Sequence, residues 1–223
     1  MNTMRTIIAC ILLAFVANMA PAQVKHIKPG EIYKMPNEYK KNGKKKTIDE
    51  LVDESSIYED LYSGYCSWYC GGVIDTVMAS SNLEPIKDFD YIGANAHDFD
   101  HTSVWAEGAP GQGIGEYLEY HFPGGCPRIT TVKILNGHVK SEKAWSENSR
   151  VKQLKMYYNG EPYAILDLQD SRTCQVFDVG VLGFNDSEAP EWTLKFEIMD
   201  VYPGTKYEDT VISELYFDGI DVH

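Results

Sequence analysis

A polar loop at residues 95–102 combines two carboxylates, an amide and a hydroxyl. Calcium takes six to eight oxygen ligands, and a tight polar loop supplies several of them. The loop lacks the central glycine and the distal glutamate of an EF-hand. Its spacing also suits a transition metal bound through His97 and His101. A third interpretation is purely structural, because Asp98 and Asp100 are residue types that bond their own backbone in Asx turns.

Two further loops place aromatic rings beside hydrogen-bonding side chains. Trp145 is followed closely by Asn148 and Arg150. A sugar matches such a surface, because it has an apolar C–H face and a rim of hydroxyls. Tyr202 and Tyr207 flank a second polar loop that we expect to face the same ligand. The alternative is that Trp145 closes one end of the fold while Arg150 pairs with a carboxylate.

Patterns for catalysis are weaker. The glycine-rich string GQGIG at residues 111–115 lacks the third glycine of a dinucleotide-binding fingerprint. The sequence contains no G-x-S-x-G nucleophile elbow. Glu107, Glu116 and Glu119 offer a carboxylate pair for glycoside cleavage, but such spacings arise by chance in a chain with 33 acidic residues. We therefore predict no catalytic residues.

Composition narrows the function further. The 223 residues include 20 basic and 33 acidic side chains, for a formal charge of −13. A chain this acidic repels phosphate backbones and anionic lipid surfaces, which excludes general nucleic-acid binding and disfavours membrane binding. The 43% hydrophobic and 24% charged content is that of an ordinary globular protein. The 12% aromatic content favours β-structure or a ligand surface lined with rings.

The first 22 residues predict a cleavable signal peptide. Arg5 precedes a short apolar run at residues 7–16, and Ala20-Pro21-Ala22 provides a small-residue cleavage site. The run is too short to span a bilayer comfortably, and no later segment is long enough. We expect an exported protein that is secreted, periplasmic or at the cell surface.

Four cysteines remain after this cleavage, and an even number in an oxidising compartment predicts disulfides. Three pairings are open. We favour Cys66–Cys70, which are close enough to bridge across one turn, together with Cys126–Cys174. A zinc site built from all four thiolates is the alternative, although the spacing lacks paired knuckles.

The mature chain divides into two predicted parts. Residues 23–64 are polar and rich in lysine, so we predict a flexible arm that ends in a short helix at about 47–62. Thr47 and Glu50 form a capping box at the start of that helix. Residues 65–223 form the remaining domain, whose pattern is that of β-strands from about residue 110.

Hydrophobic residues in that region alternate with polar ones, as in Leu194, Phe196 and Ile198. This period of two is typical of half-buried strands. Turn signals such as Asn136-Gly137 and Asn159-Gly160 separate the segments. A parallel α/β fold needs crossover helices that have no room here. The sequence therefore predicts an all-β fold, an antiparallel β-sandwich. Further strands are predicted at 117–122, 129–135, 154–158, 164–168, 174–179 and 211–217.

Several strings, taken in order, resemble a known module. They are W-A-E-G followed by G-I-G-E, N-G-H-x-K-S followed by W-x-x-N-S-R-V-K, and D-V-Y-P-G-T-K-Y-E-D-T-x-I-S-E-L-x-F. Together they resemble the NADase-type glycan-binding domain, named after the non-catalytic translocation domain of secreted bacterial NAD glycohydrolases. That module is discoidin-like and belongs with the galactose-binding-like, factor 5/8 type C sandwiches. The resemblance covers roughly residues 72–219 and implies a jelly-roll sandwich.

The resemblance also implies one structural calcium ion, which clamps a loop to the last strand. In such modules the ligands come from a loop of the form A-x-D-x-x-x-T, here residues 96–102, and from a glutamate on that strand. Two positions depart from the family pattern: Phe99 stands where glycine is frequent, and Trp105 lies one residue further along. The candidate calcium ligands are Ala96, Asp98, Asp100, Thr102 and Glu214.

For function, the resemblance implies a non-catalytic module that binds a glycan through loops at one end of the sandwich. NAD cleavage belongs to a separate domain in those enzymes, and we expect no such domain in a chain that ends at His223. The alternative is a protein–protein interaction module of the cell exterior that uses the same loops. An unrecognised hydrolase is a third, weaker possibility. The candidate ligand-binding residues are Trp145, Asn148, Arg150, Tyr202 and Tyr207.

Overall fold

The computed structural model describes residues 24–34, 40–41, 44–45, 68–87 and 89–222. The predicted signal peptide, the predicted helix at 47–62 and Cys66 lie outside these residues. No helix in the described ranges is both long and apolar enough to cross a membrane.

The described chain is built almost entirely from β-strands. In chain order its elements are β1 (Lys25–Ile27), β2 (Glu31–Lys34), β3 (Lys40–Lys41), β4 (Lys44–Lys45), the 3-10 helix η1 (Trp68–Cys70), β5 (Thr76–Ala79), the 3-10 helix η2 (Gly93–His97), β6 (Trp105–Ala106), β7 (Tyr117–Phe122), β8 (Ile129–Asn136), the helix α1 (Glu142–Glu147), β9 (Ser149–Tyr158), β10 (Glu161–Asp167), β11 (Thr173–Leu182), β12 (Trp192–Tyr202) and β13 (Thr210–Gly219).

Eleven of these strands form one hydrogen-bonded sheet that folds into two layers. One layer has the order β1-β10-β9-β12-β7-β5, and the other has the order β2-β11-β8-β13-β6. The layers are joined where β13 runs parallel to β9, at Thr210 opposite Ser149 and Val211 opposite Arg150. Within the described layers, every pairing except β1 with β10 is antiparallel. The predicted antiparallel sandwich is confirmed.

Alternating burial explains why the strand prediction works. In β7, Leu118, Tyr120 and Phe122 are buried while their neighbours are partly exposed. Strand β9 begins five residues before its predicted start, because its first three residues are all buried and show no alternation. At the β9–β10 hairpin, Asn159 and Gly160 both adopt positive φ, the geometry of the two-residue turn that their sequence predicts.

Residues 25–34 differ from the flexible arm predicted for them. Strand β1 pairs in parallel with β10, and β2 pairs with β11. The His26 ring nitrogen Nδ1 lies 2.9 Å from the Asp167 carboxylate. Backbone hydrogen bonds pair these edge strands with β10 and β11, and Ile27 also packs against the core, so a segment poor in apolar residues still joins the sheet.

The core lies between the two layers and is rich in aromatic rings. Phe122 and Trp192 stack with their centroids 4.3 Å apart. Phe217, from the other layer, contacts Phe122 edge to face at 5.3 Å. Helix η1 inserts Trp68, whose indole N–H donates to the Pro127 carbonyl oxygen at 2.9 Å. These contacts across the layers give the loops a rigid support.

The predicted Cys126–Cys174 disulfide is wrong, because both residues are buried free thiols. The Cys126 Sγ lies 3.4 Å from the carbonyl oxygen of Val73, while Cys174 belongs to a separate apolar cluster on β11. Burial raises the pKa of Cys174 to about 12, so its thiol is unreactive. Cys70 is also free. The cysteines in the described ranges form no metal-binding group.

Candidate functional site

The predicted calcium loop is attached directly to the last strand. Helix η2 buries Ala96, and the next residue, His97, has its Nδ1 atom 2.7 Å from the carbonyl oxygen of Leu215 on β13. Burial lowers the pKa of His97 to about 4, so the ring is neutral near pH 7 and donates this hydrogen bond. The contact brings Asp98 next to Glu214, the neighbour of Leu215.

Glu214 is an acidic side chain in a fully buried position. Neither of its carboxylate oxygens has a hydrogen bond of ordinary geometry among the described residues. Burial raises its pKa well above the usual range, and the negative charge of Asp98 raises it further. Interactions with the Tyr216 hydroxyl and the Phe99 backbone N–H lower the pKa of Glu214, but their effect is smaller than that of burial. An unscreened pair of facing carboxyl groups requires either a shared proton or a bound cation.

Phe99, the residue between these acidic side chains in sequence, has a left-handed backbone with φ of +66°. Glycine adopts this conformation without steric cost, so the backbone at this position favours glycine over a residue with a side chain. The phenylalanine ring stacks on Tyr216 with centroids 4.9 Å apart and contacts Tyr69 edge to face. These ring contacts stabilise a turn that the residue type alone disfavours.

The remaining candidate ligands form hydrogen bonds within their own loop. The Asp100 Oδ1 accepts from the backbone N–H and the hydroxyl of Thr102, at 2.8 and 2.7 Å. Asp98 accepts from the Asp100 backbone N–H at 2.8 Å and from the Ser103 hydroxyl at 2.6 Å. This is the Asx-turn arrangement that the sequence left open. Three or more His, Cys, Asp or Glu side chains do not converge on one point anywhere in the described chain.

Two of the candidate residues have carboxylate side chains, which are the type of ligand that a hard cation prefers. Asp98 and Glu214 supply facing carboxylates, and neither Glu214 oxygen has a hydrogen bond of ordinary geometry among the described residues. Calcium accepts carbonyl and hydroxyl oxygens as further ligands, so two carboxylates are enough for a mixed oxygen site. Ala96 and Thr102 are the nearby candidates for such oxygens.

Trp145 and Arg150 stack on each other at one end of the sandwich. The guanidinium carbon lies 4.4 Å from the indole centroid, and the indole N–H donates to the Asn136 carbonyl oxygen at 2.9 Å. Arg150 is buried and forms a two-pronged ion pair with Asp170, at 2.8 and 3.1 Å. It also donates to the Asn148 carbonyl oxygen at 2.9 Å. The indole N–H of Trp145 and the guanidinium of Arg150 therefore form their hydrogen bonds with other groups of the protein.

The two predicted ring-bearing loops meet at this end. The backbone N–H groups of Lys206 and Tyr207 both donate to the Glu147 carbonyl oxygen. The Tyr202 hydroxyl donates to the Leu168 carbonyl oxygen at 3.0 Å. Tyr207 is 42% exposed and borders an open cleft of about 250 Å³, which Gln112 also lines. Of the five predicted ligand contacts, Tyr207 offers the most accessible ring.

A second cleft at this end was not predicted from the sequence. It has a volume of about 300 Å³ and lies between the segment 89–91, the segment 100–104 and the β8–α1 connection. A tight turn, closed by reciprocal backbone hydrogen bonds between Ile86 and Phe89, places the Phe89 ring at the mouth of this cleft. We refer to it as the Phe89 cleft. The sequence signal for this cleft was the alternation of acidic and aromatic residues at 88–91.

The three glutamates considered for glycoside cleavage have separate structural partners. Glu107 is buried and accepts the backbone N–H groups of Thr210 and Ala109, at 3.0 and 2.9 Å. Glu116 accepts two serine hydroxyls, and Glu119 lies 3.2 Å from the His121 ring. Each carboxylate stabilises a loop or a strand.

A third cleft, of about 690 Å³, lies elsewhere, beside β2 and across β11, β8 and β13. Lys133, which lines it, donates to the Asp218 carboxylate at 2.8 Å. No aromatic side chain lines this cleft among the described residues. The clefts bordered by Phe89 and Tyr207 therefore combine an accessible ring with hydrogen-bonding groups, while this third cleft does not.

Comparison with known proteins agrees with this architecture. Residues 68–218 match the family described as the NAD glycohydrolase translocation F5/8 type C domain. No curated protein matches the sequence. The structure is similar to that of the CBM32-1 and CBM32-2 domains of Clostridium perfringens ZmpB in complex with GalNAc, at 11% identity and a TM-score of 0.50, covering 74% of this chain and 37% of that one. A larger ZmpB structure that includes the M60 catalytic domain is similar at 12% identity and a TM-score of 0.51. That match covers 74% of this chain and 16% of the ZmpB chain.

At these identities the solved structures show a shared fold, and this chain spans well under half of their length. The family match runs from Trp68 in η1 to Asp218 in β13 and so includes strands of both layers of the sandwich. The chain belongs to the NAD glycohydrolase translocation F5/8 type C domain family.

Proposed function

We propose that this protein is an exported, non-catalytic module that binds glycans through loops at one end of its sandwich. The observation that carries the proposal is that this end bears two open clefts, each bordered by an accessible aromatic ring and by hydrogen-bonding side chains. Sugars need this combination because they have both an apolar face and a polar rim. The shared fold with ZmpB domains solved in complex with GalNAc supports the same function.

The proposal of a non-catalytic role is supported by how the glutamates considered for glycoside cleavage are used. A glycosidase needs two carboxyl groups on either side of a sugar, one of them available as an acid. Glu107 is fully buried and bonded to two backbone N–H groups, so it has no access to a substrate. The export of the protein is proposed from the sequence of residues 1–22.

Calcium has a structural role in this proposal. The cation neutralises the facing carboxyl groups of Asp98 and Glu214 and so attaches the loop to β13. The same loop continues into Ser103, which lines the Phe89 cleft. Calcium therefore stabilises one wall of a candidate binding site without contacting the sugar.

The alternative function is protein–protein interaction through the same end. It is favoured by three exposed apolar side chains, Ile86, Phe89 and Ile92, which are each more than 40% accessible. Exposed apolar groups close together are a feature of protein interfaces. In that case free sugars would not compete for the surface.

A glycan array with the purified chain tests the proposal, run once with calcium and once with a chelator. We expect binding to one class of glycan, and stronger binding with calcium. A blank array from protein that melts cooperatively would contradict glycan binding and favour the protein-interaction alternative.

A further inference from the structure

The segment 89–91, which forms one wall of the Phe89 cleft, is held by hydrogen bonds within the protein. Asn95 is buried, and its amide nitrogen lies 2.9 Å from the Asp90 carboxylate and 3.2 Å from the Val104 carbonyl oxygen. The Tyr91 carbonyl oxygen accepts the backbone N–H of Ala106 on β6 at 3.3 Å. A site held in this way loses little conformational entropy when a ligand binds.

The mouth of the cleft carries an unusual pair of side chains. Phe89 is 56% exposed, although a phenyl ring has no polar group to compensate for contact with water. The Lys140 ammonium lies over this ring, 5.2 Å from its centroid. An exposed ring beside a hydrogen-bond donor presents one surface for C–H groups and another for hydroxyls.

The charges around the cleft select among sugars. Asp90 and Asp100 line it with negative charge, and Lys140 is the cation among its lining residues. The lining therefore carries a net negative charge, which repels a carboxylate or a sulfate.

We propose that the Phe89 cleft is the glycan-binding site and that it accepts an uncharged sugar residue while rejecting acidic ones. This inference rests on the proposed function and adds the location and the ligand class. The Phe89 ring contacts the apolar face of the sugar, while Lys140 and the carboxylates of Asp90 and Asp100 bond its hydroxyls. A volume of about 300 Å³ suits one sugar ring, with the rest of a glycan extending into solvent.

Saturation-transfer NMR tests the proposal on the full chain in calcium. The probes are methyl glycosides of galactose, N-acetylgalactosamine, glucose and N-acetylglucosamine, compared with N-acetylneuraminic and glucuronic acid. We expect transfer to at least one neutral glycoside and none to the acids. Phe89→Ala should weaken the binding about tenfold or more, because a central aromatic anchor is lost. Phe184→Ala, which removes another exposed ring at a distant loop, should leave it unchanged.

A second variant tests the charge argument without removing the ring. Asp90→Asn keeps an oxygen that can accept from Asn95 but removes one negative charge, so the preference for neutral over acidic sugars should narrow. Equal binding of neutral and acidic sugars to the wild-type protein would overturn the ligand class.

Other outcomes separate this inference from the proposed function. If Tyr207→Ala abolishes binding while Phe89→Ala does not, the site is the other cleft, and glycan binding stands. If no sugar gives transfer with a folded protein, both the inference and the proposed function fail.

Discussion

The buried carboxyl group of Glu214 on β13 faces the carboxyl group of Asp98, on the loop that follows η2. The strand and the loop are far apart in sequence, and the hydrogen bond from His97 to the Leu215 carbonyl oxygen brings them together. Two facing carboxyl groups repel each other when both are ionised. The loop is therefore stable in this position only when a proton or a cation lies between them.

Calcium is expected to raise the melting temperature of the protein, because the proposed site is assembled in the folded state and not in the unfolded one. At a calcium concentration one hundred times the Kd, the stabilisation is about 2.7 kcal/mol, or roughly 5–10 °C for a domain of this size. Circular dichroism melts in calcium and in chelator measure it. Glu214→Gln should remove the shift, because the amide lacks the charge that attracts the cation.

Glu208→Gln is the matched control, since Glu208 is exposed on the β12–β13 loop and its loss should keep the calcium shift. In chelator, Glu214→Gln should be at least as stable as the wild type, because it removes a repelling charge. Identical wild-type melting temperatures with and without calcium would exclude the cation.

Arg150 is expected to act on stability. Arg150→Met should lower the free energy of unfolding by about 2–3 kcal/mol, because it removes the ion pair with the half-exposed Asp170 and leaves the Asn148 carbonyl oxygen without its donor. Urea denaturation measures the change. An unchanged midpoint together with lost glycan binding would instead make Arg150 a sugar contact, as its position beside Trp145 suggested from the sequence.

The sequence predicted the sandwich well because burial alternates along most strands, as in β7, and because turn residues such as Asn159 and Gly160 mark the hairpins. The sequence could not show that Asp170 pairs with Arg150, because Asp170 lies twenty residues later in the chain, in the β10–β11 connection. The edge strands β1 and β2 were missed because backbone hydrogen bonds pair them with the sheet, and such bonds leave no pattern of apolar residues in the sequence. The Phe89 cleft was missed because its walls come from three separate segments.

Acid should destabilise the protein through its buried histidines. Burial lowers the pKa values of both His97 and His101 to about 4, from 6.5 in the unfolded chain. The unfolded state therefore binds more protons between these values, and stability falls as the pH drops from about 6.5 to about 4. Each histidine contributes on the order of 3 kcal/mol.

Urea denaturation of His97→Asn across this pH range isolates one contribution. Asparagine places an N–H near the Leu215 carbonyl oxygen but does not titrate, so the curve of stability against pH should be flatter than for the wild type. Parallel curves would show that His97 does not bind a proton on unfolding in this range.

Calcium and sugar binding should be coupled through Ser103. Its hydroxyl donates to Asp98 at 2.6 Å, and Ser103 also lines the Phe89 cleft. Ordering Asp98 with a cation therefore fixes a wall of the cleft. The affinity for a neutral glycoside should rise several-fold with calcium, an effect in the ordinary range of coupling between sites. Calorimetric titration of Ser103→Ala should show a smaller rise, and an equal rise in both proteins would exclude this route.

We expect this chain to bind a neutral sugar at the Phe89 end of its sandwich. The most direct measurement is a titration of the isotope-labelled protein with a neutral glycoside in calcium, followed through its backbone amide NMR signals. We predict that the amides of Phe89, Tyr91, Ser103 and Lys140 shift with a common saturation curve, while those of β1 and β2 do not. A spectrum that remains unchanged across the whole titration would contradict the claim.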